Sequence, residues 1–354
     1  MNAIGAALKA KTDVPGEGRR WVRVLAKYRE PNAARSIFEL VVTAAALVAL
    51  WTAMWWALKV SYLLCLALAI PAGGFLVRLF VIQHDCGHGA FFRHRILNDT
   101  IGRALGVITL TPYDVWKNAH AIHHATSGNL ERRGVGDITT MTVREYAEAT
   151  PGARLRYRLY RHPIVMFGIG PAYLFLLQHR LPTGFMRSGA KPWISAMATN
   201  AFIAAAVAGL MWAVGVVPFL LVHLPIAVIG GSIGVWLFYV QHQFENTVWA
   251  DNRSWDLPDA ALYGSSYYKL PVWLRWLTAS IGLHHVHHLC SRVPFYRLQE
   301  VMRDNPELST VRPLTVAQSF GCVRLTLWDE GRQKLVSFRD ALTSPTIVEP
   351  SPNA

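Results

Sequence analysis

Residues 40–58 and 60–77 form two apolar runs that no charged residue interrupts, separated only by Lys59. A second uncharged region runs over 192–222 and, past His223, on to Gln241, with Gly215 and Pro218 marking a turn inside it. Each half of each region is long enough to cross roughly 30 Å of hydrocarbon as a helix. The short breaks between the halves predict two helical hairpins, four spans in all. Residues 164–178 are also apolar, but the stretch is short and carries Gly168, Gly170 and Pro171, which predicts an interfacial or re-entrant segment. Over 272–283, Trp273, Trp276 and Leu277 alternate with Arg275, and Lys269 lies just before. That is the pattern of an amphipathic helix in the head-group layer.

The expected fold is therefore an all-α integral membrane protein, with four transmembrane helices in two hairpins, interfacial helices and a cytoplasmic helical cap. The expected organisation is a basic cytoplasmic segment over 1–35, a membrane domain over 36–300 and a cytoplasmic extension over 301–354. The Pro-containing tail from Ser344 is expected to be disordered.

Composition agrees with a membrane: 52% of residues are hydrophobic and 16% charged, an unusual balance for a soluble domain. The net charge of +13 raises nucleic acid as a partner, and its placement argues against it. Lys9, Lys11, Arg19, Arg20, Arg23, Lys27, Arg29 and Arg35 precede the first span, and a basic stretch over 93–191 follows the second. The positive-inside rule then puts both termini and the central segment in the cytoplasm, inner membrane if bacterial, and anionic lipid head groups account for the basic residues. Residues 1–35 lack the apolar core and cleavage site of a signal peptide. Cys65, Cys86, Cys290 and Cys322 show no CxxC spacing, so neither a zinc ribbon nor a disulfide framework is expected.

The candidate chemistry lies in the histidines. His84 and His88 follow the second span as HDCGH, His120, His123 and His124 form HAIHH, and His284, His287 and His288 lie in HHVHH after the fourth span. His242 stands in QHQFE at that span's end. Spacings of three and four place imidazoles on neighbouring positions of a helix. A lone HxxxH means little, whereas two HxxHH patterns on one inferred membrane face are specific. His285 leaves the third pattern open to a shifted pairing, with His284 preferred as the ligand. His94, His162, His179 and His223 are read as surface or core histidines.

A single zinc needs three or four protein ligands, so nine imidazoles imply two ions. HExxH is absent, as is the paired ExxH of bundle-type di-iron proteins. Imidazole suits iron, copper, nickel and zinc alike. Location discriminates further: a metal pair beside apolar spans that can hold an alkyl chain suits oxidative attack on that chain, which side-chain acids and bases cannot perform.

The three boxes, in this order and topology over about residues 39–298, resemble the membrane fatty acid desaturase family. HDCGH, QHQFEN over 241–246 and VPFY over 293–296 look most like bacterial and plastid-type delta-12 (omega-6) acyl desaturases. The resemblance implies two non-haem iron ions, dioxygen as co-substrate and two electrons from a carrier such as ferredoxin or a cytochrome-b-type protein, with no tightly bound organic cofactor. It implies as ligands His84, His88, His120, His123, His124, His242, His284, His287 and His288. The extra His285 departs from the family pattern. The interval from His242 to His284 is not that expected of animal acyl-CoA desaturases, which argues for another acyl carrier.

Asp85, Asp114, Asp137 and Glu245 are candidates to orient ligand imidazoles. Gly73, Gly74, Gly230, Gly231, Gly234 and Trp116 are candidates to line a substrate tunnel, although helix packing also explains glycines in spans. The competing readings are a hydroxylase or ketolase on the same scaffold, a membrane haem electron carrier, and a metal transporter. The last would place its histidines near mid-membrane.

Overall fold

The computed structural model describes residues 17–343; the tail from Ser344 and the first basic residues, Lys9 and Lys11, lie outside the described residues. Four helices are long and apolar enough to cross a membrane: Ala33–Ala57, Tyr62–Gly87, Ala190–Val214 and Val216–His242. At 1.5 Å per residue each is about 37 to 40 Å long, more than the roughly 30 Å of the hydrocarbon layer. They pair as two hairpins, turning at residues 58–61 and at Gly215, whose φ of +88° is one that glycine adopts without a Cβ penalty. Ile37, Val41, Leu63, Ile70, Phe202 and Trp212 are exposed along them, as large apolar side chains on membrane-spanning helices are where they meet lipid. The protein is an integral membrane protein with four spans.

The second span is the central element, packing along both the first and the fourth. Its crossing with the fourth is glycine-mediated. A Cβ at Gly73 would meet Ile229 Cγ2 at 2.7 Å and the Gly230 nitrogen at 3.0 Å, and one at Gly230 would meet Leu76 Cδ2 at 2.9 Å. Close approach of small residues is how helices associate without a hydrophobic driving force. Gly73→Val is expected to wedge this crossing open at a cost of about 1–3 kcal/mol, seen as a lower thermal midpoint of the purified protein.

Between the hairpins, the helices Arg95–Ile108 and Tyr113–Thr126 pack beneath the third span, and 164–178 forms short helices with Ile164, Ile169, Tyr173 and Leu177 exposed. The helix Glu17–Leu25 packs inward through Trp21 and Leu25, followed by Tyr28, all buried in the core that contains Leu79 and Ile82 of the second span. The residues beyond Arg303 join the same core through Leu308, Leu314 and Cys322.

Short strands tie the cap together. β1 (Met141–Thr142) pairs in parallel with β4 (Leu327–Asp329), which pairs antiparallel with β5 (Lys334–Val336); β2 (Tyr267–Lys269) pairs in parallel with β3 (Pro313–Thr315). At two or three residues each, they are too short to show alternation in the sequence. The helical framework is as expected, and these strands are additions to it.

Candidate metal centre

Each histidine box is delivered by a helix end. His84 lies in the last turn of the second span and His88 caps it, its amide reaching the His84 carbonyl at 3.1 Å. Gly89 then turns the chain with φ +65°. The second box lies on Tyr113–Thr126, which starts at Pro112; His120 and His124 share one face, one turn apart, while His123 points to another. The third box is the fully buried helix His284–Leu289, and His242 is the last residue of the fourth span.

Nine imidazoles from these four places converge as two groups. The first contains His84, His88, His120, His124 and His287, the second His123, His242, His284 and His288; within each, one nitrogen per ring lies within 4.8 Å of all the others. In the first, His120 Nε2 is 3.0 Å from His88 Nε2 and 3.1 Å from His124 Nε2, which is 3.1 Å from His287 Nε2. In the second, His242 Nε2 is 3.2 Å from His123 Nε2 and 3.0 Å from His284 Nε2, which is 3.0 Å from His288 Nε2. His124 and His288 stack at 4.0 Å across the boundary.

These spacings fit metal coordination. Imidazole nitrogens about 2.0–2.1 Å from one ion stand about 3.0 Å apart as octahedral neighbours and about 3.4 Å apart in a tetrahedron. Without a cation, the Nε2 lone pairs of His123 and His242 would face one another, because each neutral ring has one N–H and uses it at Nδ1. Burial, with neighbouring imidazoles adding to it, holds His88, His120, His124, His284, His287 and His288 well below the ordinary histidine pKa. Burial thus favours the neutral form of these six rings, the form that binds metal.

Three of the nine Nδ1 atoms reach partners outside the imidazole groups. His123 Nδ1 donates to Asp137 Oδ1, and His242 Nδ1 lies 3.3 Å from the Gly264 carbonyl. His84 Nδ1 is 3.4 Å from Asp85 Oδ1, while Asp85 Oδ2 accepts from the Phe295 amide at 2.7 Å. Two of the four expected carboxylates thus reach a histidine and two do not. Asp114 accepts two bonds from Arg103, each 2.9 Å, and Glu245 is exposed beyond the end of the fourth span. His285 also turns away, its Nε2 lying 3.1 Å from the Leu308 carbonyl, so the third box contributes His284. His94, His162, His179 and His223 are outside both groups.

Trp116 stacks on His120 at 4.7 Å and meets Phe80 at 5.3 Å. Phe238, one turn before His242, meets His123 at 5.1 Å and His242 at 5.3 Å; it belongs to no histidine box, and its i−4 position relative to His242 is the sequence signal for it. Among the five candidate tunnel glycines, Gly73 and Gly230 form the helix crossing, Gly74 faces Leu277 and Gly231 faces Phe175 and Pro171. A Cβ at Gly234 would meet nothing within 4 Å.

Fold and site together define a membrane protein whose histidine boxes converge, at one end of its spans, on a paired metal-binding site. The profile of the family described as "Fatty acid desaturase" matches residues 59–317. A protein of Bacillus subtilis (strain 168) named "Fatty acid desaturase" is 43% identical over 334 residues, 94% of each chain. Two proteins of Synechocystis are more distant. The "sn-1 acyl-lipid omega-3 desaturase (ferredoxin)" is 28% identical, covering 62% of this chain and 61% of its own, and the "sn-1 oleoyl-lipid 12-desaturase" is 27% identical, covering 69% and 67%. The chain belongs to the fatty acid desaturase family and is a fatty acid desaturase, an oxidoreductase.

Proposed function

We propose that this desaturase works with two iron ions and introduces a cis double bond at the delta-12 (omega-6) position of a lipid-linked acyl chain. The observation that carries the reading is the division of nine convergent imidazoles into groups of five and four at the end of apolar helices. His84, His88, His120, His124 and His287 would hold one ion, and His123, His242, His284 and His288 the other. When bound, the pair supplies the dioxygen chemistry that removes one hydrogen from each of two adjacent methylenes, using two electrons from a donor such as ferredoxin or a cytochrome-b-type protein.

The chain's own groups supply position. Asp137 and the Gly264 carbonyl fix the tautomers of His123 and His242, so that each presents Nε2 inward. Trp116, with Phe80 against it, lies beside His120, and Phe238 lies beside His123 and His242; apolar rings at both groups suit an alkyl chain. The open space at Gly234, two turns before His242, is where that chain would pass.

A lipid carrier is supported by the acyl-lipid names of the Synechocystis relatives. The delta-12 position rests on the forms of the first box, QHQFEN and VPFY; the relatives' names include omega-3 as well as 12-desaturases, and the Bacillus name gives no position. The cytoplasmic placement of the termini and boxes rests on Lys59 being the lone charge in the two hairpin turns.

The test is expression in a host that makes only saturated and mono-unsaturated acyl chains, with a working electron donor, followed by mass spectrometry with double-bond localisation. New delta-12 dienes are expected. A double bond elsewhere would refute the position alone, hydroxy-acids would favour the hydroxylase, and unchanged lipids despite good expression would overturn the reading.

A further inference from the structure

A buried ion pair lies inside the first hairpin, away from the histidines. Arg78 of the second span and Glu39 of the first are each 1% exposed, and Arg78 Nη2 donates to Glu39 Oε2. Arg78 Nε also donates to Thr43 Oγ1 at 3.1 Å, and Nη1 donates to the backbone carbonyl of Trp276. The guanidinium lies over the Trp276 ring, 4.3 Å from its centroid. An ionisable residue so placed is costly and calls for a role, and burial of a pair is weak grounds for stability by itself.

Trp276 lies in the last turn of the interfacial helix Val272–Leu277, and the chain from there leads directly into the third box. In between, Ala279 and Ser280 both take left-handed φ values, +49° and +55°. Consecutive non-glycine residues in that region persist only where their surroundings hold them. Three side chains from three different elements do so. Arg78 binds the Trp276 carbonyl, Gln299 Nε2 donates to Ser280 Oγ at 3.0 Å, and Gln241 Nε2 donates to the Ile281 carbonyl at 3.0 Å. Arg78 lies six residues before His84, and Gln241 directly precedes His242. The elements that carry the first box and the isolated histidine therefore grip the turn that launches the third.

The third box contributes His287 to the five-histidine group and His284 and His288 to the four-histidine group, so a displacement of its start disturbs both. We infer that Arg78, held by Glu39, is a positioning residue that sets the register of the third histidine box against the first through the Trp276 carbonyl and the strained turn 278–283. This rests on the metal-centre reading for its catalytic meaning, but the turn itself can be read without metal.

The test uses the double variant Glu39→Leu with Arg78→Met in the full chain, since replacing both members of a buried pair by apolar groups is often neutral or stabilising, whereas removing one is not. Arg78→Lys is made alongside it: a shorter, compact ammonium can keep Glu39 but does not reproduce the planar fork by which the guanidinium also reaches Thr43 and Trp276. Both variants are expected to keep a thermal midpoint near that of the parent. In the metal-free protein, amide exchange over 278–288 should speed up about tenfold while the spans stay protected. Cobalt(II) added to the metal-free chain should bind about tenfold or more weakly, the usual effect of losing an outer support of a metal ligand. Folded variants with parental exchange over 278–288 would overturn the inference. Faster exchange over 278–288 in the variants, with no cobalt uptake by the unmodified chain, would instead support the positioning of the turn and count against the metal-centre reading.

Discussion

Replacing His287 with alanine is expected to reduce desaturation to background and to lower the metal content of the purified chain from two ions toward one. His287 sits on the third-box helix, yet its Nε2 faces His124 in the group otherwise built from the first and second boxes. Its removal takes a nitrogen donor from a buried site. Loss of an outer partner of a ligand already costs about 10–100-fold, and loss of the nitrogen itself should cost at least the upper end of that range. His285→Ala separates this from damage to the helix. His285 is on the same helix and equally buried but bonds the Leu308 carbonyl, so that variant should lose stability while keeping two ions. Activity retained in His287→Ala, measured as product per folded chain, would refute its place in the centre.

Asp137→Asn is expected to cost about 10–100-fold in turnover or metal affinity, through the four-histidine group. Asp137 Oδ1 accepts from His123 Nδ1, which leaves the His123 Nε2 lone pair aimed at His242 and the inward space. The amide of asparagine has nearly the same shape but can present N–H₂ to Nδ1, which stabilises the opposite tautomer and puts the proton on the nitrogen that must bind metal. The loop that brings Asp137 there depends on Gly136, with φ +72°: a Cβ would stand 2.9 Å from the Ala119 carbonyl oxygen and 3.2 Å from His123 Cβ. Asp114→Asn is the matched control. Its carboxylate pairs with Arg103 at a partly exposed site, and such pairs contribute about 0–1 kcal/mol, so turnover should be unchanged. Steady-state rates and metal titration of both variants check the prediction.

The spans and boxes were legible because each is written in contiguous residues: an uncharged run long enough to cross a bilayer, or imidazoles at helical spacing. The division of the imidazoles was not. His123 lies between His120 and His124 in HAIHH but faces the other group, because successive positions around a helix point in different directions and only the surrounding elements decide which direction meets a partner. Nor could sequence distance separate the carboxylates. Asp137, thirteen residues beyond His124, returns to His123 through a glycine turn, whereas Asp114, on the same helix as the second box, is taken by Arg103. The Glu39 and Arg78 pair did leave a mark: each stands next to an uncharged run, with opposite sign, in helices that the hairpin places side by side. Trp21, Leu25 and Tyr28 likewise follow helical spacing inside a segment whose basic charge dominates its appearance.

The most direct test of the paired centre is elemental analysis and absorption spectroscopy of the full chain purified after expression with iron. Two iron ions per chain without a Soret band are predicted; bound zinc alone, or haem absorbance, would contradict the account.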